Sequence, residues 1–152
     1  TASVIFANRI NGITYGVETW GDYRATQNWR LSAGFNYLHK DLNLEPGATT
    51  ASLDQHQGND PDYQVSLRSS LDIAKDVEWD IGIRFVDNLT RPTVPGYVAL
   101  DTRIGWDVTE AVELSLAGFN LLDDDDGHRE TRDALSGRDI PRSVYAGLRV
   151  RF

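Results

Sequence analysis

Apolar and polar side chains alternate with a period of two along most of this chain, and that period decides the fold class before any motif is considered. Val77, Trp79, Ile81, Ile83 and Phe85 are interleaved with Glu78, Asp80, Gly82 and Arg84. Val98, Leu100, Thr102, Ile104 and Trp106 are interleaved with Ala99, Asp101, Arg103 and Gly105, and Val112, Leu114 and Leu116 with Glu113, Ser115 and Ala117. The last segment sets Val144, Ala146, Leu148, Val150 and Phe152 against Ser143, Tyr145, Gly147, Arg149 and Arg151. Successive side chains of an extended strand leave opposite faces, so each set makes one greasy and one polar face. A helix needs apolar residues at i, i+3, i+4 and i+7, and no segment supplies them. The chain reads as all-β.

The joins between these segments alternate in length. Short ones fall at Thr26-Gln27-Asn28, Ala74-Lys75-Asp76 and Thr109-Glu110-Ala111. Long polar ones, carrying Pro, Gly, Asn and Asp, fall at 42–61, 88–95 and 123–140. This spacing predicts about seven antiparallel strands, near 4–25, 29–41, 62–73, 77–87, 96–108, 112–122 and 141–152. Most would run ~10–14 residues, longer than the ~5–6 typical of globular sheets and suited to tilted strands that cross a bilayer in ~9–11. Short turns at one end and long loops at the other are the pattern of outer-membrane barrels. Trp29, Tyr37, Tyr63, Trp79, Phe85 and Trp106 cap the apolar faces as interfacial girdles would. A soluble β-sandwich would also alternate, and predicts an aromatic face buried against a second sheet. Arg68, Arg84, Arg103 and Arg149, with Asp72, Asp80, Asp101 and Glu113, lie mid-strand and suit either a sandwich exterior or a barrel lumen.

Composition removes other classes. Hydrophobic residues at 40% and charged residues at 25% exclude disordered and collagen-like chains. No apolar run approaches the ~18 residues of a membrane-spanning helix. Fifteen basic against 23 acidic side chains leave −8, which disfavours an electrostatic nucleic-acid binder. With no Cys there are no disulfides, thiolate metal sites or cysteine nucleophiles. The absence of Met, and of a cationic and then apolar leader, reads as a mature or excised piece without a signal peptide.

Particular motifs then bring in a family. Leu114-Ser-Leu-Ala-Gly-Phe-Asn-Leu-Leu-Asp123, a polar loop, and Ile140-Pro-Arg-Ser-Val-Tyr-Ala-Gly-Leu-Arg-Val-Arg-Phe152 resemble the C-terminus of TonB-dependent outer-membrane receptors. Phe6-Ala-Asn8 followed by Tyr15-Gly16-Val17-Glu18 is similar to a strand of that family, and Trp29–Tyr37 to the strand after its periplasmic turn. Gly58-Asn-Asp-Pro61 and Val94-Pro-Gly-Tyr97 resemble loop endings of one subgroup. Two departures stand out: Val150 where relatives carry an aromatic, and the Asp123–Asp126 run, which lengthens a loop. The resemblance implies that residues 1–152 are the C-terminal third of a transmembrane barrel of about 22 strands, whose plug domain and N-terminal barrel strands lie outside this sequence.

One local signal points to a different strand count. Asn11-Gly12 favours a type I′ hairpin, which would make residues 2–10 an extra strand and allow a closed eight-stranded barrel. The competing reading, favoured by the resemblance, is that Gly12 bends or bulges one long strand.

Candidate sites are few. His39, His56 and His128 lie far apart, with no partner at metal-ligand spacing. Asp124-Asp125-Asp126-Gly127 fails the EF-hand register at Leu122 and alters it at Asp133, so it reads as a solvated loop, with a looser cation site left open. Asn88-Leu-Thr90 matches a glycosylation acceptor by chance. Arg84, Asp101, Arg103 and Glu113 read as a ladder of cross-strand charge pairs in a wet interior. Asp54 and His56 in the first long loop, with Arg129, Arg132 and Arg138 in the last, are placed to meet an anionic iron chelate. In the last strand, the row Val144, Ala146, Leu148, Val150 and Phe152 resembles the signal read by the barrel-assembly machinery, with Tyr145 on the other face.

The function expected is therefore transport, with no cofactor, metal or catalytic residue. The resemblance implies a bacterial outer-membrane receptor for TonB-dependent uptake of a scarce ligand such as a ferric siderophore. Its partners would be outer-membrane lipid, the plug and remaining strands, TonB through the N-terminal part, and the assembly machinery; nucleic acid is not among them. The alternative is a self-contained eight-stranded outer-membrane barrel with a structural or adhesive role. An enzyme is disfavoured, because no nucleophile, base and orienting group recur at a usable spacing.

Overall fold

The computed structural model describes residues 9–47, 57–91, 93–123 and 139–152. Nine strands follow in order: β1 (Ile10–Thr26), β2 (Trp29–Leu44), β3 (Tyr63–Ala74), β4 (Val77–Val86), β5 (Leu89–Thr90), β6 (Thr93–Val94), β7 (Tyr97–Thr109), β8 (Val112–Phe119) and β9 (Ser143–Val150). Seven of them form one antiparallel sheet in the order β1-β2-β3-β4-β7-β8-β9, so each strand lies beside its neighbours in sequence. β5 and β6 form a separate two-stranded ribbon between β4 and β7. The all-β, seven-strand expectation is met, and the sheet is not closed.

The differences lie at the strand ends. β2 runs three residues past the expected end at 41, because β1 accompanies it as far as the pair Ile10↔Leu44. β1 passes straight through Asn11-Gly12, with Gly12 opposite Leu42 and no register shift there. No hairpin forms at that dipeptide and no bulge either. Gly12 instead permits close backbone approach, since a Cβ there would collide with the Asp41 carbonyl oxygen. β8 stops at Phe119 rather than 122: Asn120 takes a left-handed φ of 54°, and the Leu121 N–H turns back to the Leu100 carbonyl at 2.8 Å. The 88–95 loop contains the β5–β6 ribbon. β9 begins at Ser143 and ends at Val150, so Phe152 lies past the strand, although the Arg151 N–H still reaches the Ala111 carbonyl at 2.8 Å.

The register sorts the side chains onto two faces. Across the apolar face run Trp29↔Leu71↔Trp79↔Ile104↔Leu116↔Ala146 and Phe35↔Val65↔Phe85↔Val98. Two aromatic rows bound it. At the short-turn end the Trp29 and Trp79 indoles donate to Ser69 Oγ and Thr102 Oγ1, each at 2.9 Å, which keeps their N–H groups satisfied on a greasy surface. At the long-loop end Tyr37 meets Tyr63 at 5.0 Å and Tyr15 at 6.3 Å between ring centroids. Trp29 and Tyr37 lie eight residues apart on β2, ~26 Å along the strand at ~3.3 Å per residue and ~19–22 Å along the membrane normal at a tilt of ~35–45°, most of the ~25 Å apolar band of an outer-membrane wall.

Nothing covers that face among the described residues. Their buried hydrophobic side chains are Val94 and Ala99 alone, and no large side chain is fully buried. Trp79, Leu114 and Leu148 are all exposed, and Ile81 is half-buried. A sandwich would stack a second sheet ~10 Å away over these residues. The described residues form a single layer, and its continuous apolar face far exceeds the few hundred Å² a soluble monomer leaves open.

The three short turns share one construction. Each encloses two residues, Gln27-Asn28, Lys75-Asp76 or Glu110-Ala111, and each follows a register shift, at Arg24/Thr26, Asp72/Ala74 and Asp107/Thr109. None of these turn residues has a positive φ. Type I′ and II′ turns are therefore absent, and the preceding bulge supplies the twist that a plain two-residue turn of ordinary residues would lack. The second residue of each turn then accepts a hydrogen bond from the next strand, at Asn28 from Asp72, Asp76 from Asp107 and Ala111 from Arg151.

A candidate ligand-lining face

The opposite face is polar and hollow. Its rows read Glu18↔Asn36↔Gln64, Trp20↔Gly34↔Ser66↔Arg84↔Ala99, Asp22↔Ser32↔Arg68↔Gly82↔Asp101 and Arg24↔Arg30↔Ser70↔Asp80↔Arg103. A hollow of about 410 Å³ crosses five strands on this side, bordered by Trp20, Arg68, Arg84 and Asp101. Further hollows open beside it, towards the turns at Arg30 and Asp72 and towards the loops at Glu18 and Asn36. The sheet is thus concave towards its polar face, as a barrel wall is towards its lumen. Its floor carries Gly34, Ser66 and Gly82, where bulkier side chains would fill it.

Of the charged residues read from the sequence, Arg103 and Glu113 come together and Arg84 and Asp101 do not join them. Arg103 ion-pairs with Glu113, and lies 3.4 Å from Glu78 and 3.5 Å from Asp80. Glu113 also receives Arg149 at 2.9 Å and Arg151 at 3.3 Å, and is only 8% exposed. The guanidinium of Arg103 folds across Gly105, where a Cβ would sit 2.8 Å from Nη2. Arg84 stands over the Tyr97 ring at 5.6 Å. Asp101 accepts the Asn120 N–H at 2.9 Å and so holds the left-handed residue that ends β8. Asp80 accepts from the Ser70 hydroxyl at 2.6 Å.

Trp20 is the residue that pattern-reading overlooked. It is 77% exposed on the polar face, opposite Gly34. The signal was present: Glu18, Trp20, Asp22 and Arg24 run out of phase with Val17, Thr19 and Tyr23. His39 lies against Tyr15 at 5.0 Å on the apolar face, away from the hollow. Among the described residues no three His, Cys, Asp or Glu side chains are grouped to hold a metal ion. Asp54, His56, Asp124, Asp125, Asp126, His128, Arg129, Arg132 and Arg138 lie outside the described residues.

Comparison with known families adds one match. Residues 5–121 match the family described as TonB dependent receptor-like, beta-barrel, and β9 lies beyond the matched stretch. No curated protein and no solved structure matches the chain significantly. The match covers β1 to β8 and agrees with a single antiparallel sheet that is apolar on one face and hollow and charged on the other. The chain belongs to the TonB-dependent receptor β-barrel family.

Proposed function

We propose that this chain forms part of the wall of a bacterial outer-membrane receptor that takes up a scarce ligand, of the ferric siderophore class, with energy delivered from the periplasm through TonB. The observation that carries the reading is the pairing of an uncovered apolar face, banded by two aromatic rows, with a hollow polar face. Acyl chains would meet the first, and water, plug and ligand the second. In this reading residues 1–152 are the C-terminal portion of the barrel, and the plug, the TonB-contacting segment and the other strands are supplied elsewhere in the receptor. The outer edges of β1 and β9, unpaired in the sheet, support it, because open edges seek strands. The work is binding and gating, without catalysis.

In the same reading Val144, Ala146, Leu148, Val150 and Phe152 present the row that the barrel-assembly machinery recognises by strand addition. The open edge of β9 and the full exposure of Phe152 beyond it support this role. The transport reading is tested with the full-length protein in iron-starved cells. Uptake of at least one labelled ferric siderophore from a chemically diverse panel should disappear both on deleting its gene and in a TonB-deficient strain. Unchanged uptake of every siderophore in the panel after the deletion would overturn the siderophore assignment.

A further inference from the structure

We propose, on the receptor reading above, that Arg24 and Arg30 form the seat of an acidic segment of the plug, whose carboxylates they hold against the turn end of the polar face. The two arginines lie directly opposite each other across β1 and β2. Side chains so placed have Cβ atoms ~4.5–5.5 Å apart, and like charges there repel. Arg68 brings a third guanidinium, diagonal to Arg30 on β3, where Ser70 stands directly opposite. None of the three has an ion pair or a side-chain hydrogen bond among the described residues.

Elsewhere on this face charge is matched within the sheet. Arg103, Arg149 and Arg151 share Glu113, and Arg103 also reaches Glu78 and Asp80. The carboxylates nearest the arginine pair do not serve it. Asp22 accepts the Ser32 hydroxyl, and Asp80 the Ser70 hydroxyl. Asp72 borders the same hollow of about 260 Å³ as Arg24 and Arg30, but forms no ion pair with either.

Water satisfies an exposed guanidinium. A lumen filled by a plug leaves little water, and an unmatched charge there is costly. A carboxylate entering the hollow would accept from both forks at once and turn repulsion into attraction. A ligand in transit would supply that carboxylate only during its passage, so a resident segment is the occupant the pair favours. Charge complementarity agrees, because this corner has cations to spare in a chain of net −8.

Trp20 marks the other end of the seat. It lies four residues up β1 on the same face, is 77% exposed, and does not cover the glycine opposite. A Cβ on Gly34 would meet Ser66 Oγ and the Thr19 carbonyl oxygen, and no atom of Trp20 within 4 Å. An indole standing free in a polar wall has apolar surface to bury. The segment that fits is acidic towards the turns and apolar ~13 Å further up, four residues at ~3.3 Å each.

Zero-length coupling tests the seat in the full-length receptor in outer membranes, with no siderophore added. Arg24→Lys and Arg30→Lys, made singly, keep the charge and supply an amine. A water-soluble carbodiimide joins that amine to a carboxylate in contact with it, and peptide mass spectrometry identifies the partner. The lysine-bearing peptide should be lost to a product joined to an Asp or Glu of the plug. Either variant carries the test if the other does not fold. Coupling to Asp22, Asp72 or Asp80 alone, or to nothing, would overturn the seat. So would lysines shielded from acetylation only when a ferric siderophore is bound, which would give the pair to the ligand. A plug that is present but uncoupled leaves the receptor reading standing, whereas a gene that encodes no plug would remove both.

Discussion

Neighbouring residues on one strand meet opposite solvents, and β3 shows the consequence most sharply. Leu67 is 51% exposed on the apolar face, midway between Tyr63 and Leu71, while Arg68 beside it borders the polar hollow. Leu67→Arg should cost about 2–4 kcal/mol, the range for a charge near the midplane of an outer-membrane barrel. Arg68→Leu should change stability by well under half of that, because the polar face is wet and carries no packed layer. Denaturant titration of the protein refolded in lipid vesicles measures both, and equal costs would mean that the two faces do not differ in solvent. Both faces were legible from the alternation. Trp20 was legible only through its phase with Glu18, Asp22 and Arg24, because hydropathy alone sorts an aromatic with the apolar row.

At the scale of elements, the repeated turn-and-bulge unit makes a prediction that separates tolerated from fatal deletions. Ile73 is the extra residue of the bulge between Asp72 and Ala74. Deleting it while replacing Lys75-Asp76 by Asn-Gly should give a regular type I′ hairpin, with every other side chain on its present face. The protein should keep its heat-modifiable mobility on gels. Deleting Leu67 instead should abolish it, because the residues on one side of the gap must exchange lipid for water. The short turns were visible in the sequence, since Gln, Asn, Lys, Asp and Glu interrupt the alternation there. The bulges were not, as Arg24-Ala25-Thr26 and Asp107-Val108-Thr109 read as continuing strand.

For the whole molecule, the decisive feature is that the described residues form a single curved layer with two edges open among them, β1 along Ile10–Thr26 and β9 along Ser143–Val150. Unpaired backbone donors and acceptors on both edges, and one face of exposed Ile, Leu, Val and Trp, cannot be satisfied by one copy in water. The isolated 152-residue chain should therefore require detergent and sediment as concentration-dependent oligomers. A stable monomer in detergent-free buffer would contradict a single-layer wall.

The sequence by itself determined the class of structure, the number of long strands and the side of the sheet on which each charged residue stands. Those properties follow from backbone geometry, since a period of two is local and survives whatever the strand pairs with. Only the tertiary structure decided that β1 runs unbroken through Asn11-Gly12, that the sheet is hollow beneath Gly34 and Gly82, and that Glu113 gathers Arg103, Arg149 and Arg151. Each of these depends on register between strands distant in the chain. A one-dimensional pattern repeats every two residues and so cannot tell one such alignment from the next.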